Sequence, residues 1–422
     1  MTAERHVDAV VIGAGTAGLT AGALLAEGGA RVVVVAKGVG STHLAPGTVD
    51  VLGYDPDRVE APGAALAGFV AAHPEHPYAR LGPDAVEPAL EWFRAKVQAG
   101  PQPGYAYVGD LARNHMLPTA AGALRPSALV PETMAPGDAA ADTSPVCVAG
   151  MRVLRDFHPE LCAANLTAAG IPARAVELEV DMGRADANAL GLARRLDDPS
   201  FRAAFAGQLG SKLRGGERVA LPAMLGLRDP HRVWTELQER LDTPVFEIPT
   251  LPPSVPGMRL SDVLRAALRA AGGRLVLGSE VVGGERDGAR VSAVRVHASG
   301  HDVLYHARWF VLAAGGLNSG SIELGSDWVV RETALGLPVH GAPGPGEPRF
   351  LPDVFAEQPL SRVGIAVDAG LRAEGTENVL VAGASLPGAV PWKEGSGEGI
   401  ALTSAHRAAA AVLAAERIEA TA

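Results

Sequence analysis

Three glycines, Gly13, Gly15 and Gly18, stand near the start of the chain in the order G-x-G-x-x-G. They lie between an apolar run, VDAVVIG, and a stretch with helical spacing, TAGLTAGALLAEGG. Each has its own task in such a turn. The first permits the tight bend, the second lets a pyrophosphate approach the backbone, and the third lets helix and strand pack closely. The helix that begins at Thr16 and Ala17 turns its N–H groups and partial positive charge toward phosphate. The chemistry implied is the holding of a dinucleotide.

Three further stretches carry matching signals. KGVGSTHLAPGTVD, residues 37–50, has no hydrophobic period. Its Ser41, Thr42, Gly47 and Thr48 offer hydroxyls and glycine-adjacent amides suited to a phosphate or a flavin edge. His43 in the same loop could touch a flavin ring or a substrate, although a lone loop histidine usually does neither. WFVLAAGG, residues 309–316, is a strand that returns the chain to a cofactor near Gly315. NVLVAGASLPG and GSGEGIALTSAHRAAAA form a last strand, a loop and a helix. The strand ends at Gly383 and the helix starts around Gly397, Gly399 and Ile400. A helix start there can stabilise the negative charge that gathers on a reduced flavin. A plain nicotinamide dehydrogenase has no use for it, so the two chain ends together point to a flavoprotein. Arg125, in GALRPS, could clamp a phosphate or carboxylate or be a solvated loop charge. His43 and Arg125 are the candidates for a catalytic role, and no catalytic base is identified.

One expected group is missing. In a dinucleotide unit an Asp or Glu about 20 residues after the turn grips the adenosine ribose. Here the second apolar run, RVVVVAKG, ends on Ala36 and Lys37. FMN carries no adenosine, so the strand tip predicts FMN, with Lys37 near its terminal phosphate or in solvent. FAD is the alternative, its ribose then resting on backbone groups or water around residues 36–38. Lys37 could instead read the 2′-phosphate of NADP.

Bulk properties narrow the classes. The chain has 422 residues, 47% of them hydrophobic and 20% charged, with 51 Gly and 32 Pro, which suits a turn-rich globular protein. A formal net charge of −10 argues against nucleic acid as a partner. No uncharged apolar run approaches the roughly 18–20 residues of a bilayer span. The opening MTAERHVDAVVIGAG enters a strand directly without a signal-peptide pattern, so a cytoplasmic location is expected. Cys147 and Cys162 sit in apolar surroundings and are expected to be buried structural thiols. Two thiols cannot supply an iron–sulfur cluster that usually needs four. AHPEHPYARLGP shows no metal-ligand spacing, and no metal site is expected. His158 and Glu160 read as polar residues at a helix start.

The elements that position these residues read as α/β: a Rossmann-like FAD/NAD(P)-binding-type flavoprotein domain, discontinuous in sequence, with an inserted α/β domain. Residues 1–52 and 255–422 are assigned to the flavin domain, and 53–254 to a substrate, cap or subunit-interface insertion. Inside the insertion PVCVAG, AVELEV, RVALPAML and PVFEIP read as strands, the first two and the last two each joined through a helix. PDAVEPALEWFRAKVQAG reads as an amphipathic helix, and LPTAAGALRPSALVPETMAPGDAAADTSP as a long loop. After LPPSVPGMRL come a helix and several short strands turning at RDG and ASG.

Taken together, VVIGAGTAGLTAG, STHLAPGTVDVLG, HPYARLGPDAV, LPAMLGL and above all LPTLPPSVPGMRL resemble the B subunit of the anaerobic glycerol-3-phosphate dehydrogenase complex. The two chain ends separately resemble the fumarate reductase and succinate dehydrogenase flavoproteins. The resemblance implies oxidation of sn-glycerol 3-phosphate to dihydroxyacetone phosphate, with electrons passed to quinone. It implies two partners in the same complex, an FAD-containing catalytic subunit and an iron–sulfur subunit. It also implies FMN in this chain, and peripheral attachment to the inner face of the cell membrane through those partners. It places the flavin on Gly13, Gly15, Gly18, Ser41, Thr42, Gly47, Gly383 and the Gly397–Ile400 turn. The alternatives are a non-catalytic assembly or electron-relay subunit with a vestigial pocket, and a free-standing NADP-dependent dehydrogenase.

Overall fold

The computed structural model describes residues 3–183, 186–298 and 300–421; Met1 and Thr2 of the opening segment lie outside them. The chain forms two compact units, Met1–Ser41 with Ala65–Phe93 and Leu264–Ala422, and Thr42–Ala64 with Arg94–Val263. These limits differ from the expected 52 and 255. The segment Ala65–Phe93 belongs to the first unit because its side chains find partners there. Trp92 donates to Glu27 at 3.1 Å and meets His406 edge-on at 5.4 Å, while His76 pairs with Glu394.

The first unit is built on five parallel strands. Their order is Arg274–Leu277, Val32–Ala36, Ala9–Ile12, Trp309–Leu312 and Val379–Val381. The last four of these runs are buried at every residue, as expected for parallel strands covered on both faces. Arg274–Leu277 closes one edge and is only half-buried. Helix Thr16–Glu27 crosses from the first strand in sequence to the second and ends at Gly28 and Gly29, the latter at φ 90°. A second sheet joins Ala3–His6 to the meander Glu280–Asp287, Arg290–Ala298 and His301–His306. Gly288, at φ 60°, makes the tight turn read from RDG. The closing helix runs over Gly397–Thr421.

The second unit carries its own all-parallel sheet, ordered Ala173–Leu178, Val146–Met151, Arg218–Pro222 and Val245–Ile248. These are the four strands read from the sequence. The crossover helices Pro159–Ala168, Pro199–Gly210 and Pro230–Leu241 each start on a proline, whose missing N–H would have no helical acceptor there. Asp198 and Asp229 cap the latter two with their carboxylates. His158 and Glu160 sit exposed at a helix start, as the sequence suggested. Both cysteines are buried, and burial pushes the Cys147 thiol up to about 11 and the Cys162 thiol to about 12. The stretch read as one long loop, residues 117–145, instead takes in the end of the strand His115–Pro118 and the whole of Leu124–Ser127 and Leu129–Pro131. Leu124–Ser127 pairs with His115–Pro118, and Leu129–Pro131 with a strand at Tyr107–Gly109, in two-stranded ladders where a proline need not give up a sheet hydrogen bond on both sides.

The LPPSVPGMRL block is a structural lock in this unit. Ser254 accepts from Gly257 N–H at 3.1 Å, and its own N–H donates to His43 C=O. A Cβ on Gly257 would fall 2.2 Å from Thr42 O, and one on Gly47 would fall 2.4 Å from Pro256. Loop 42–47 and the helix start thus interlock through bare backbone. One turn on, fully buried Arg259 makes two bonds to Glu247, at 2.7 and 3.0 Å, and two to Gly226 C=O. Glu247 also accepts from Thr133 Oγ1 at 2.6 Å and Leu225 N–H at 2.7 Å. Such a pair contributes little net energy while intact, but removing one partner strands the other charge. Arg259→Met should therefore lower unfolding free energy by about 3–5 kcal/mol in urea titration. Adding Glu247→Gln should recover part of the loss; a double variant that loses the sum of both would contradict the coupling.

Candidate functional site

In the first unit the C-terminal strand ends gather loops whose backbones touch. Gly13 N–H donates to Val35 C=O, and Gly13 itself sits at φ 112°. A Cβ on Gly13 would lie 2.2 Å from Ala313 O, and one on Gly18 would lie 2.0 Å from Gly13 O. Both positions must be bare for strand, helix and the Ala313 loop to meet. Gly15 differs. It precedes the helix at φ −79°, and a Cβ there would meet nothing within 4 Å. Open space above an N-terminal helical turn, whose N–H groups lack helical acceptors, is what a phosphate would fill. The residues present therefore fit a dinucleotide-type group at this turn. Thr16 and Ala17 begin the helix there, and Gly383, at φ 70°, packs on Ala17.

The later motifs converge on the same rim. Ser385 Oγ donates to Gly315 C=O at 2.9 Å, and Ser321 Oγ also donates to it. Gly315 is at φ 81°. Gly383 N–H donates to Ser404 Oγ at 2.8 Å, which ties the last strand to the closing helix. That helix starts at Gly397, and the Ile400 N–H in its opening turn donates to Ser396 C=O. Gly399 and Ile400 are buried there. A bound flavin would be held here by residues 13–18, 315, 383 and 397–400.

The support of this helix start was not legible in the sequence. Buried His76 accepts from Tyr78 N–H through Nδ1 at 3.1 Å, so Nε2 carries the proton that faces Glu394 Oε2 at 3.2 Å. Glu394 also accepts from Val390 N–H and from Ser396 Oγ, each at 2.9 Å. Burial alone would raise the Glu394 carboxyl. The hydrogen bond from His76 and the Val390 and Ser396 donors outweigh it and hold the group below the ordinary carboxylate range. A histidine in a His/Pro-rich stretch was the available signal, but its partner lies 318 residues away.

Ala36 is buried at its strand tip and Lys37 is exposed beside it. Lys37 Nζ is 3.1 Å from Glu280 Oε1. Ser41 is exposed at the end of the first unit's opening segment.

Thr42, His43, Gly47 and Thr48 belong to the second unit. There Asp50, missed in the sequence, organises the polar side chains. Thr48 Oγ1 donates to its Oδ1 at 2.9 Å, Ser127 Oγ to the same oxygen at 2.5 Å, and Arg125 pairs with Oδ2. Arg125 also reaches Thr48 Oγ1 at 3.4 Å. With Pro46, Leu117 and Thr119, the residues Thr48, Arg125 and Ser127 line a cleft of about 50 Å³. Arg125 is thus partly committed to Asp50, and only its remaining donors could meet a ligand. His43 is half-buried in the 3₁₀ turn Ser41–Leu44. Where no metal site was expected, strand pairing sets His6 against His306, and with Glu4 their ligand atoms lie within 4.8 Å of one another. The group is at an exposed sheet edge, and its two rings are stacked at 4.7 Å.

The sequence pattern of the FAD binding domain family matches residues 8–400. The B subunit of the anaerobic glycerol-3-phosphate dehydrogenase of Pectobacterium atrosepticum is 34% identical over 96% of this chain and 98% of its own length. The chain belongs to this family. A probable member from Halobacterium salinarum is 32% identical, covering 99% of each chain. Among solved structures, the open conformation of a flavocytochrome c3 fumarate reductase is similar at 12% identity and TM-score 0.46, covering 97% of this chain and 78% of that one.

The glycines give a direct test of the turn. Gly15→Ala should cost less than about 1 kcal/mol of stability while weakening flavin binding about tenfold or more. Gly13→Ala should cost about 3 kcal/mol or more, because it combines positive φ with backbone overlap. Thermal unfolding with and without flavin separates the two. Equal destabilisation by both changes would contradict the assignment of Gly15 to ligand approach.

Proposed function

We propose that this chain is the flavin-bearing subunit of a respiratory complex that oxidises sn-glycerol 3-phosphate to dihydroxyacetone phosphate and passes the electrons to quinone. Near-full-length identity to relatives named as the B subunit of the anaerobic glycerol-3-phosphate dehydrogenase carries this reading. The partners are the FAD-containing catalytic subunit and the iron–sulfur subunit of the same complex. Among the described residues no helix is long and apolar enough to cross a membrane. Attachment to the inner face of the cell membrane is accordingly assigned to those partners.

FAD, in place of the FMN expected from Ala36, is the flavin of this reading. The match to an FAD binding domain pattern over residues 8–400 supports it. A bound flavin supplies a two-electron acceptor for the carbon–hydrogen bond broken when the secondary alcohol becomes a ketone. This chain's residues bind and orient it. The Gly13–Gly18 turn receives its phosphates, and the Gly397–Ile400 helix start, braced by Glu394, sets positive backbone charge where reduction adds negative charge. The NADP alternative loses its motive, because Glu280 beside Lys37 would repel a 2′-phosphate. Thr48, Arg125 and Ser127 around Asp50 are the candidate phosphate contacts in the second unit.

Co-expression of the chain with its catalytic and iron–sulfur partners should give a complex that reduces a dye acceptor with glycerol 3-phosphate. Retention of full activity by the other subunits without this chain, or no activity in any combination, would contradict the proposal.

A further inference from the structure

We propose that Glu280 supplies the ribose-gripping carboxylate that is missing at Ala36, and so sets the preference of this site for FAD over FMN. The inference rests on the FAD reading above and deepens it.

In a dinucleotide unit the acid stands at the tip of the second strand, where it can reach a ribose lying across the strand ends. Here that tip is Ala36, whose side chain can accept nothing. The neighbouring edge strand runs parallel to it, with Leu277 opposite Ala36. Two residues later the chain has not left the tip, because Ser279 N–H donates to Ala36 C=O at 3.2 Å. This bond fixes the backbone immediately before Glu280. The Glu280 side chain then extends to Lys37, with Oε1 at 3.1 Å from Nζ. A carboxylate thus stands at the strand tip, delivered from a strand 243 residues further along the chain.

The exposure of the pair favours a ligand role over a structural one. The Lys37 side chain is 78% exposed and that of Glu280 is 47% exposed. Ion pairs so open to water add little stability. Among the described residues Glu280 has no other side-chain partner, so its second oxygen remains for a hydroxyl pair. The Lys37 contact holds the carboxylate at the tip, and a carboxylate is a stronger acceptor for a ribose hydroxyl than a neutral group. FMN ends at its phosphate and cannot use this contact. The contact therefore adds affinity for FAD alone.

The test uses the full-length protein stripped of flavin and titrated separately with FAD and with FMN, followed by flavin fluorescence. Wild type should bind FAD more tightly than FMN. Glu280→Gln should weaken FAD binding roughly ten- to a hundredfold, the size expected for losing a hydrogen bond to a charged group, and leave FMN binding unchanged. Adding Ala36→Glu to Glu280→Gln returns the acid to the strand tip and should restore most of the FAD affinity. If Glu280→Gln leaves FAD binding unchanged in a wild type that prefers FAD, the inference fails and the FAD reading survives. Equal weakening of both flavins marks a structural role and overturns the inference. A wild type that prefers FMN, or takes neither flavin, overturns the FAD reading itself.

Discussion

Backbone meeting backbone at Gly13 is the constraint on which the first unit's strand ends depend. Three pieces of backbone approach within contact distance there: the turn at residues 13–15, the helix at Gly18 that follows it directly, and the loop at Ala313 from far along the chain. No side chain larger than hydrogen fits at Gly13 or Gly18, so the sheet order and the helix position are fixed together. The same closeness leaves room only above Gly15. A packing requirement and an open backbone face thus arise from one turn, and they can be told apart because, of the three glycines, only Gly15 is bare without a packing reason.

The second unit solves a similar problem with charge as well as bare backbone. Its loop 42–47 is locked under the helix that carries Arg259, and Arg259 is buried against Glu247 and a backbone carbonyl. This explains why the PSVPGMRL stretch is so distinctive without having to bear chemistry. Ser254 caps, Gly257 permits close approach, and Arg259 binds Glu247. Nearby, Asp50 draws Thr48, Arg125 and Ser127 into one polar cluster. Arg125, read in isolation as either a clamp or a solvated charge, is in fact already paired.

Local pattern carried much of this fold. Short apolar-rich runs announced the parallel strands of both sheets, and the glycine pattern announced the strand–turn–helix at residues 9–27. The Pro-rich stretch around Leu124 misled, since short two-stranded ladders tolerate the prolines that suggested a loop. What sequence could not show were single-residue pairings across long separations. Glu280 faces Lys37, His76 faces Glu394, and His6 stacks on His306, with no periodicity to mark any of them. Ala36 shows the cost most clearly. A missing acid was a reason to expect FMN only while each strand was considered alone; a parallel neighbour can bring its own carboxylate to the same tip.

Whether this chain holds FAD at the rim around Gly13 is tested most directly by denaturing the purified protein and measuring the absorbance and mass of what it releases. FAD at about one per chain is expected. Release of FMN, or a colourless protein that releases no flavin, would contradict the assignment.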